Sequence, residues 1–316
     1  MSTSEPARNS GLARLPEADR LAILGRLRDL VARPSARGYV MVAPPFAYAL
    51  LLLAAPLAMI VAFSFWTQDY LTIDRTFTLA NYRAAWTDPL YRLLMLRSLA
   101  ISGVVTLGTI LLAFPIAYYV SFRVPQERKA LWIFLITIPF WTSYLLRVFL
   151  WKVILGYQGV LNTGLIELGI IEEPLRFILY NANAVVITLI HAWAPFAILP
   201  IFVALERIDR SLLEAAEDLG DGPIERFRRI TLPLALPGVL AAALIVFIPT
   251  IGDYVTPQLV GGKDGLMIAN MIQVQFGKAN NWPLGAALAI SAMTMVASIS
   301  LVLVWLSRRV GPRQAG

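Results

Sequence analysis

Cysteine is absent from the 316 residues, and histidine occurs once, at His191. Disulfides, thiolate metal ligands and multi-histidine centres are therefore excluded, including the His-Glu-x-x-His helix of a zinc protease. Charge is scarce as well, at 15% of residues. No Gly-x-x-x-x-Gly-Lys-Ser/Thr string occurs. The glycine-rich stretch Gly261-Gly262-Lys263-Asp264-Gly265 lacks both that spacing and the hydroxyl that would hold magnesium. If ATP drives this protein, another chain hydrolyses it. No nucleophile–base or metal constellation suggests an intramembrane enzyme. No repeat relates the two halves, as is common in a self-sufficient secondary transporter.

What the chain has in excess is apolar surface. Hydrophobic residues make up 58% of it and the mean hydropathy is +0.67, far above a soluble domain. The bilayer is its solvent. Six charge-free stretches read as membrane helices, because an ionised side chain at mid-bilayer costs roughly 2.5 to 3.5 kcal/mol. They run over Gly38–Gln68, Ser98–Phe122, Ala130–Leu146, Phe177–Leu205, Ile230–Gly252 and Ala279–Ser307. Each approaches or exceeds the ~20 residues that cross ~30 Å of hydrocarbon. Prolines punctuate them, each removing a backbone hydrogen bond and inviting a kink.

The net charge of +7 matters through its distribution rather than as a nucleic-acid footprint. With the N-terminus inside, 18 of the 27 Lys and Arg fall on cytoplasmic segments and 8 on outer loops, with Arg147 at a helix end. That asymmetry predicts both termini in the cytoplasm. Residues 1–38 read as a cytoplasmic extension. Within it Leu21, Leu24, Leu27, Leu30 and Val31 recur at helical spacing among arginines, as in an amphipathic helix lying on membrane lipid. Residues 39–309 form the membrane domain and 310–316 a cytoplasmic tail.

One charged connector stands out between the fourth and fifth spans. Over residues 206–233, Ser211 is placed to cap a helix through Glu214, Ala215, Ala216 and Leu219, with Glu214 completing a capping box. Gly220 ends that helix with a left-handed turn. Pro223 starts a second short helix that leads through Ile230, Leu232 and Pro233 into the fifth span. Two short helices meeting at a glycine make a compact knob, suited to a groove in another protein.

The string Glu214-Ala215-Ala216, Gly220, Ile230-Thr231-Leu232-Pro233 resembles the loop by which permease subunits of binding-protein-dependent ABC importers dock onto their ATPase. Phe77-Thr78-Leu79-Ala80-Asn81-Tyr82, Pro139-Phe140-Trp141-Thr142-Ser143 with Arg147, and Gly252-Asp253-Tyr254-Val255-Thr256-Pro257 are similar to the spermidine/putrescine branch, first permease subunit. The resemblance covers about Val40 to Arg309. It implies an all-α, six-helix type I ABC importer permease fold with no catalytic residues. It also implies a second permease subunit, two ATPase subunits that hold ATP and Mg, a periplasmic substrate-binding protein, and a small cationic substrate. The implied substrate is a polyamine, the alternative being another cationic or amino-acid-derived solute. A secondary transporter or channel is the reading from a different class.

Candidate pathway residues follow from placement. Asp253 is the acid nearest the membrane interior, near the outer end of the fifth span; with Tyr254 it is suited either to hold a polycation by charge and cation–π contact or to build an outer gate. Trp141, Tyr144 and Trp193 are aromatic candidates to line a cation path, or packing residues. Arg147 reads as a snorkelling cation. His191 reads as a histidine hydrogen-bonded inside the bundle.

Overall fold

The computed structural model describes residues 34–70 and 72–310, with backbone alone at 34–37, 39–40 and 306–310. The amphipathic segment expected around residues 21–31 and the tail from 311 lie outside the described residues. The chain divides at Met59 into two units, and apart from most of helix α1 every feature discussed below belongs to the second, from Ile60 onward.

Helix α1 (Pro34–Ser64) contains Pro44, Pro45 and Pro56. It ends four residues before the expected boundary. Thr67–Asp69 (β1) and Thr72–Asp74 (β2) pair as a small antiparallel hairpin. The Gln68 amide clasps this hairpin to the start of the last helix, donating to the Asn280 carbonyl at 2.5 Å and accepting from Trp282 N–H at 3.1 Å.

Helices α2 (Ala80–Thr87) and α3 (Pro89–Phe122) follow. Asp88 caps α3 by accepting from Leu90 N–H at 2.7 Å, and Pro89 occupies the first helical position, where its missing N–H costs nothing. The helix starts nine residues before the charge-free stretch because Arg92 and Arg97 ride on its N-terminal end. A charge-free window marks the hydrocarbon crossing, not the helix.

The third span departs from expectation. Instead of one helix over Ala130–Leu146 there are two, α4 (Gln126–Thr137) and α5 (Tyr144–Ile154), joined through a 3₁₀ turn at Ile138–Trp141 and bent by 86°. Pro139 lacks the N–H that would continue α4. The freed chain closes instead on the Pro139 carbonyl, which accepts from Thr142 N–H at 3.3 Å and from its hydroxyl at 2.8 Å. Among the described residues five helices are thus long and apolar enough to cross a membrane, and up to six spans result if the bent pair is one.

After α6 (Val160–Glu167), Asn181 caps α7 (Ala182–Glu206) through Asn183 and Ala184 N–H. Helix α8 (Arg210–Asp218) and the 29-residue α9 (Pro223–Ile251) come next, then α10 (Val255–Val260), α11 (Ile268–Phe276) and α12 (Trp282–Val310).

Helices α3, α7 and α9 form the central bundle, with Val105, Leu189, Ile201, Leu205, Ala242 and Val246 in its core. Small residues let α7 and α9 approach: a Cβ on Gly238 would lie 2.6 Å from the Pro200 carbonyl oxygen. In hydrocarbon, where lipid tails are as apolar as leucine, such close packing is what holds helices together. A second cluster, including Met95, Phe247, Ile268 and Leu288, ties α3, α9, α11 and α12.

Candidate functional site

Two sites emerge at opposite ends of the bundle. The first is the connector. Its helix α8 is capped by Asp209, whose carboxylate accepts from Ser211 N–H at 3.0 Å. Ser211 is therefore already inside the helix, and no capping box with Glu214 forms; the aspartate two residues earlier competes successfully because its charge complements the helix N-terminus. The Ser211 backbone N–H, with its hydroxyl, holds the Asp209 carboxyl below the usual carboxylate range. The cap is present above the ordinary aspartate range and is lost as pH falls through that lowered value.

The C-terminal end of α8 matches expectation. Gly220 sits at φ +90°. Its N–H donates to the Glu217 carbonyl at 2.9 Å and Asp221 N–H donates to the Ala216 carbonyl at 2.9 Å. These two bonds make a Schellman turn, which requires the left-handed residue between them. Glu214 and Ala215 are exposed, whereas Ala216 turns into the bundle. Leu219 at 87% and Ile224 at 76% exposure leave an apolar tip between charged flanks.

The second half of the connector is not a separate short helix. Pro223 begins α9, which runs unbroken through Ile230, Leu232 and Pro233 into the fifth span. Continuity is kept by a π turn at Phe227–Thr231, where Leu232 N–H reaches back five residues to the Phe227 carbonyl. Pro233 explains it: the ring brings no N–H and crowds the preceding turn, and a wider turn relieves both. Two ion pairs brace α9 against the turn after α8, Arg229 to Asp221 at 2.9 Å and Arg226 to Glu217. Phe227 packs edge-on against Phe114 at 5.7 Å and Tyr118 at 6.2 Å on α3.

The second site lies towards the other end. Asp253 is buried, and its carboxylate is fully engaged. One oxygen accepts from Val255 N–H at 2.9 Å and Thr256 N–H at 3.3 Å, capping α10; the other accepts from the Tyr144 hydroxyl at 2.5 Å. Tyr144 also shares a 2.7 Å hydrogen bond with the Thr256 hydroxyl. No ion pair among the described residues neutralises Asp253. The bend after Thr142 is what brings Tyr144 here, since it turns the first residue of α5 towards α10. Aromatic rings continue from it: Tyr144 to Trp193 at 6.3 Å, Trp193 to Phe196 at 5.3 Å, and Phe196 to Phe140 at 4.2 Å.

Three sequence candidates, Asp253, Tyr144 and Trp193, are thus brought together. Tyr254 exposes its side chain, while its carbonyl accepts from the Asn270 amide at 2.8 Å. Trp141 is 83% exposed and has no ring contact among the described residues. Arg147 does not reach outward: it is half-buried, with a 3.4 Å hydrogen bond to the Ala192 carbonyl. His191 accepts from Trp151 Nε1–H at 3.0 Å, so the expected hydrogen bond is present, but at an exposed position rather than inside the bundle. Phe196 and Asn270 were missed by sequence reasoning, while Phe140 and Thr256 lie within the two strings that carry the resemblance but were not singled out as site residues. Among the described residues no group of three or more His, Asp or Glu could hold a metal ion.

The helical bundle, the charged connector and the broken third span make up the permease fold of type I ABC importers. A chain in the crystal structure of a bacterial ABC transporter involved in the import of the acidic polysaccharide alginate superposes with a TM-score of 0.69, covering 91% of this chain and 100% of that one at 19% identity, a likeness of fold alone. The chain belongs to the binding-protein-dependent transport system inner membrane component family, whose model matches residues 39–315. It is 38% identical over 256 residues to the spermidine/putrescine transport system permease protein PotB of Escherichia coli K12, covering 81% of this chain and 92% of that protein. The PotB of Haemophilus influenzae is also 38% identical, over 264 residues, covering 83% and 91%.

Proposed function

We propose that this non-catalytic permease subunit moves a polyamine, spermidine or putrescine, from a periplasmic binding protein to the cytoplasm. A second permease subunit and two ATPase subunits, which hold ATP and Mg, complete the importer. Both termini face the cytoplasm, by the 18-to-8 distribution of Lys and Arg. Residues 206–233 are the ATPase-coupling loop: the Schellman turn at Gly220 sets α8 rigidly against α9, and the exposed apolar tip between charged flanks suits a protein groove. Because α9 is one helix from Pro223 to Ile251, a push on its cytoplasmic end moves the fifth span with it. ATP-driven closure of the ATPases then alternates access through the kinked bundle.

The observation that carries the substrate reading is Asp253, a buried carboxylate in a membrane protein with no cationic partner among the described ion pairs. Such a group is retained at a cost, and intramembrane acids mark substrate paths. A primary or secondary ammonium supplies the missing charge, and the Tyr144–Trp193 pair offers π faces beside it. In this geometry the Tyr144 hydroxyl occupies the carboxylate, so an arriving ammonium displaces it. Asp253→Asn preserves the cap on α10 and removes the charge. A hydrogen bond to a charged group contributes about 1.5–3 kcal/mol, so spermidine uptake at saturating binding protein should fall on the order of tenfold to a hundredfold. Tyr144→Phe keeps the ring and frees the carboxylate, and should retain uptake. An Asn variant as fast as wild type would make Asp253 a structural residue.

A further inference from the structure

At the cytoplasmic end of the bundle, Glu206 closes α7 and gathers three groups from three other elements. Its Oε1 accepts from the Ser121 hydroxyl of α3 at 2.6 Å and from Lys129 Nζ of α4 at 2.7 Å. Its Oε2 accepts from the same ammonium at 2.9 Å. Arg210, the first residue of α8, lies 3.5 Å from Oε1. Arg210 in turn donates to the Ser121 carbonyl at 2.9 Å and lays its guanidinium over the Phe122 ring at 3.9 Å. Lys129 is buried to 9% exposure, so its charge is held by Glu206 rather than by water.

We infer that Glu206 is the junction through which movement of the coupling loop reaches the third span. The inference rests on the reading of residues 206–233 as that loop and adds positioning roles for Glu206, Lys129 and Arg210. Helix α8 buries only Ala216, so packing alone grips it weakly. Arg210 fastens its first turn to α3 and α7 by charge-assisted bonds, which are stronger and more directional than apolar contacts. The other arm of the loop is seated on the same end of α3: Phe122 stacks on Tyr118 at 4.6 Å, and Tyr118 meets Phe227 of α9. Both arms therefore move against one platform. From that platform Lys129 is the outgoing contact, three residues into α4. Helix α4 and its 3₁₀ extension carry the displacement to the bend at Thr142–Ser143, and the next residue is Tyr144, which closes over Asp253. Removing one member of a poorly solvated ion pair leaves the other charge without a partner, so the joint breaks rather than loosens.

The absence of cysteine permits a direct test. In the assembled importer, an environment-sensitive fluorophore on Ser143→Cys reports whether trapping the ATPase with ATP and vanadate moves the bend. Glu206→Gln and Arg210→Met should each lose most of that signal, while the ATPase still co-purifies. Arg210 is 40% exposed in its side chain, so Arg210→Met accumulates even if Glu206→Gln does not. An unchanged signal in Arg210→Met would overturn the proposal. Loss of ATPase association in that variant would also overturn it, assigning Arg210 to docking. Failure of the unsubstituted chain to bind the ATPase would instead sink the coupling-loop reading itself.

Discussion

Gly220 offers the sharpest test of the connector because its environment separates backbone strain from steric clash. The residue sits at φ +90°, and a Cβ built there meets nothing within 4 Å. Any cost of substitution is therefore conformational. For an ordinary L residue the left-handed region costs about 1–2 kcal/mol. A β-branched residue is more strained there. The two closing hydrogen bonds, Gly220 to Glu217 and Asp221 to Ala216, are lost on opening whatever the side chain, so they cancel in the comparison. Gly220→Val is thus expected to disfavour the native turn by about 2 kcal/mol, roughly a thirtyfold depletion at about 1.4 kcal/mol per tenfold. Gly220→Ala should fall between, and Gly220→Asn should cost less than about 1 kcal/mol, since asparagine enters this region readily. The assay is substrate uptake by the reconstituted importer together with the yield of co-purified ATPase, measured across the series with membrane insertion as control. Uptake ordered Gly, Asn, Ala, Val follows from backbone strain. A result in which Asn is as damaging as Val, or Val is harmless, would refute the reasoning, because no neighbouring atom is available to explain either.

Reporter fusions after Gly159 and Gly262 should report the outside, and fusions after Lys129 and Gly220 the inside; the reversed pattern would put the connector on the wrong side for ATP. Gly238→Leu should destabilise the bundle by about 1–3 kcal/mol through overpacking, because the Pro200 carbonyl leaves no room for a Cβ. Its thermal midpoint in detergent should drop, and an unchanged midpoint would mean that α7 and α9 can separate there without penalty. Glu214→Ala removes an exposed charge that makes no cap, so α8 should remain intact by circular dichroism while ATPase co-purification declines; undiminished association would remove Glu214 from the docking surface.

Composition and charge placement were sufficient for the class of protein and for five of the six spans, because the penalty for an ion in hydrocarbon acts locally and leaves a mark on every twenty-residue window. Gly220 was legible for a similar reason: the left-handed turn is a property of one residue and its immediate chain. The features that decide the two sites are not local. Asp209 rather than Ser211 caps α8 because two candidates two residues apart compete and the backbone path chooses between them. Pro233 promised a boundary, yet a π turn absorbed it and left one rod from Pro223 to Ile251. Pro139 announced a disturbance without its size, and the 86° bend depends on how α5 packs beyond it. Asp253 and Tyr144 are 109 residues apart, and Lys129 and Glu206 are 77 apart. Neither pair has a periodicity or spacing that sequence could display; each exists because buried charge must find a partner in space, and only the tertiary packing of α3, α4, α7 and α9 determines which partner is within reach.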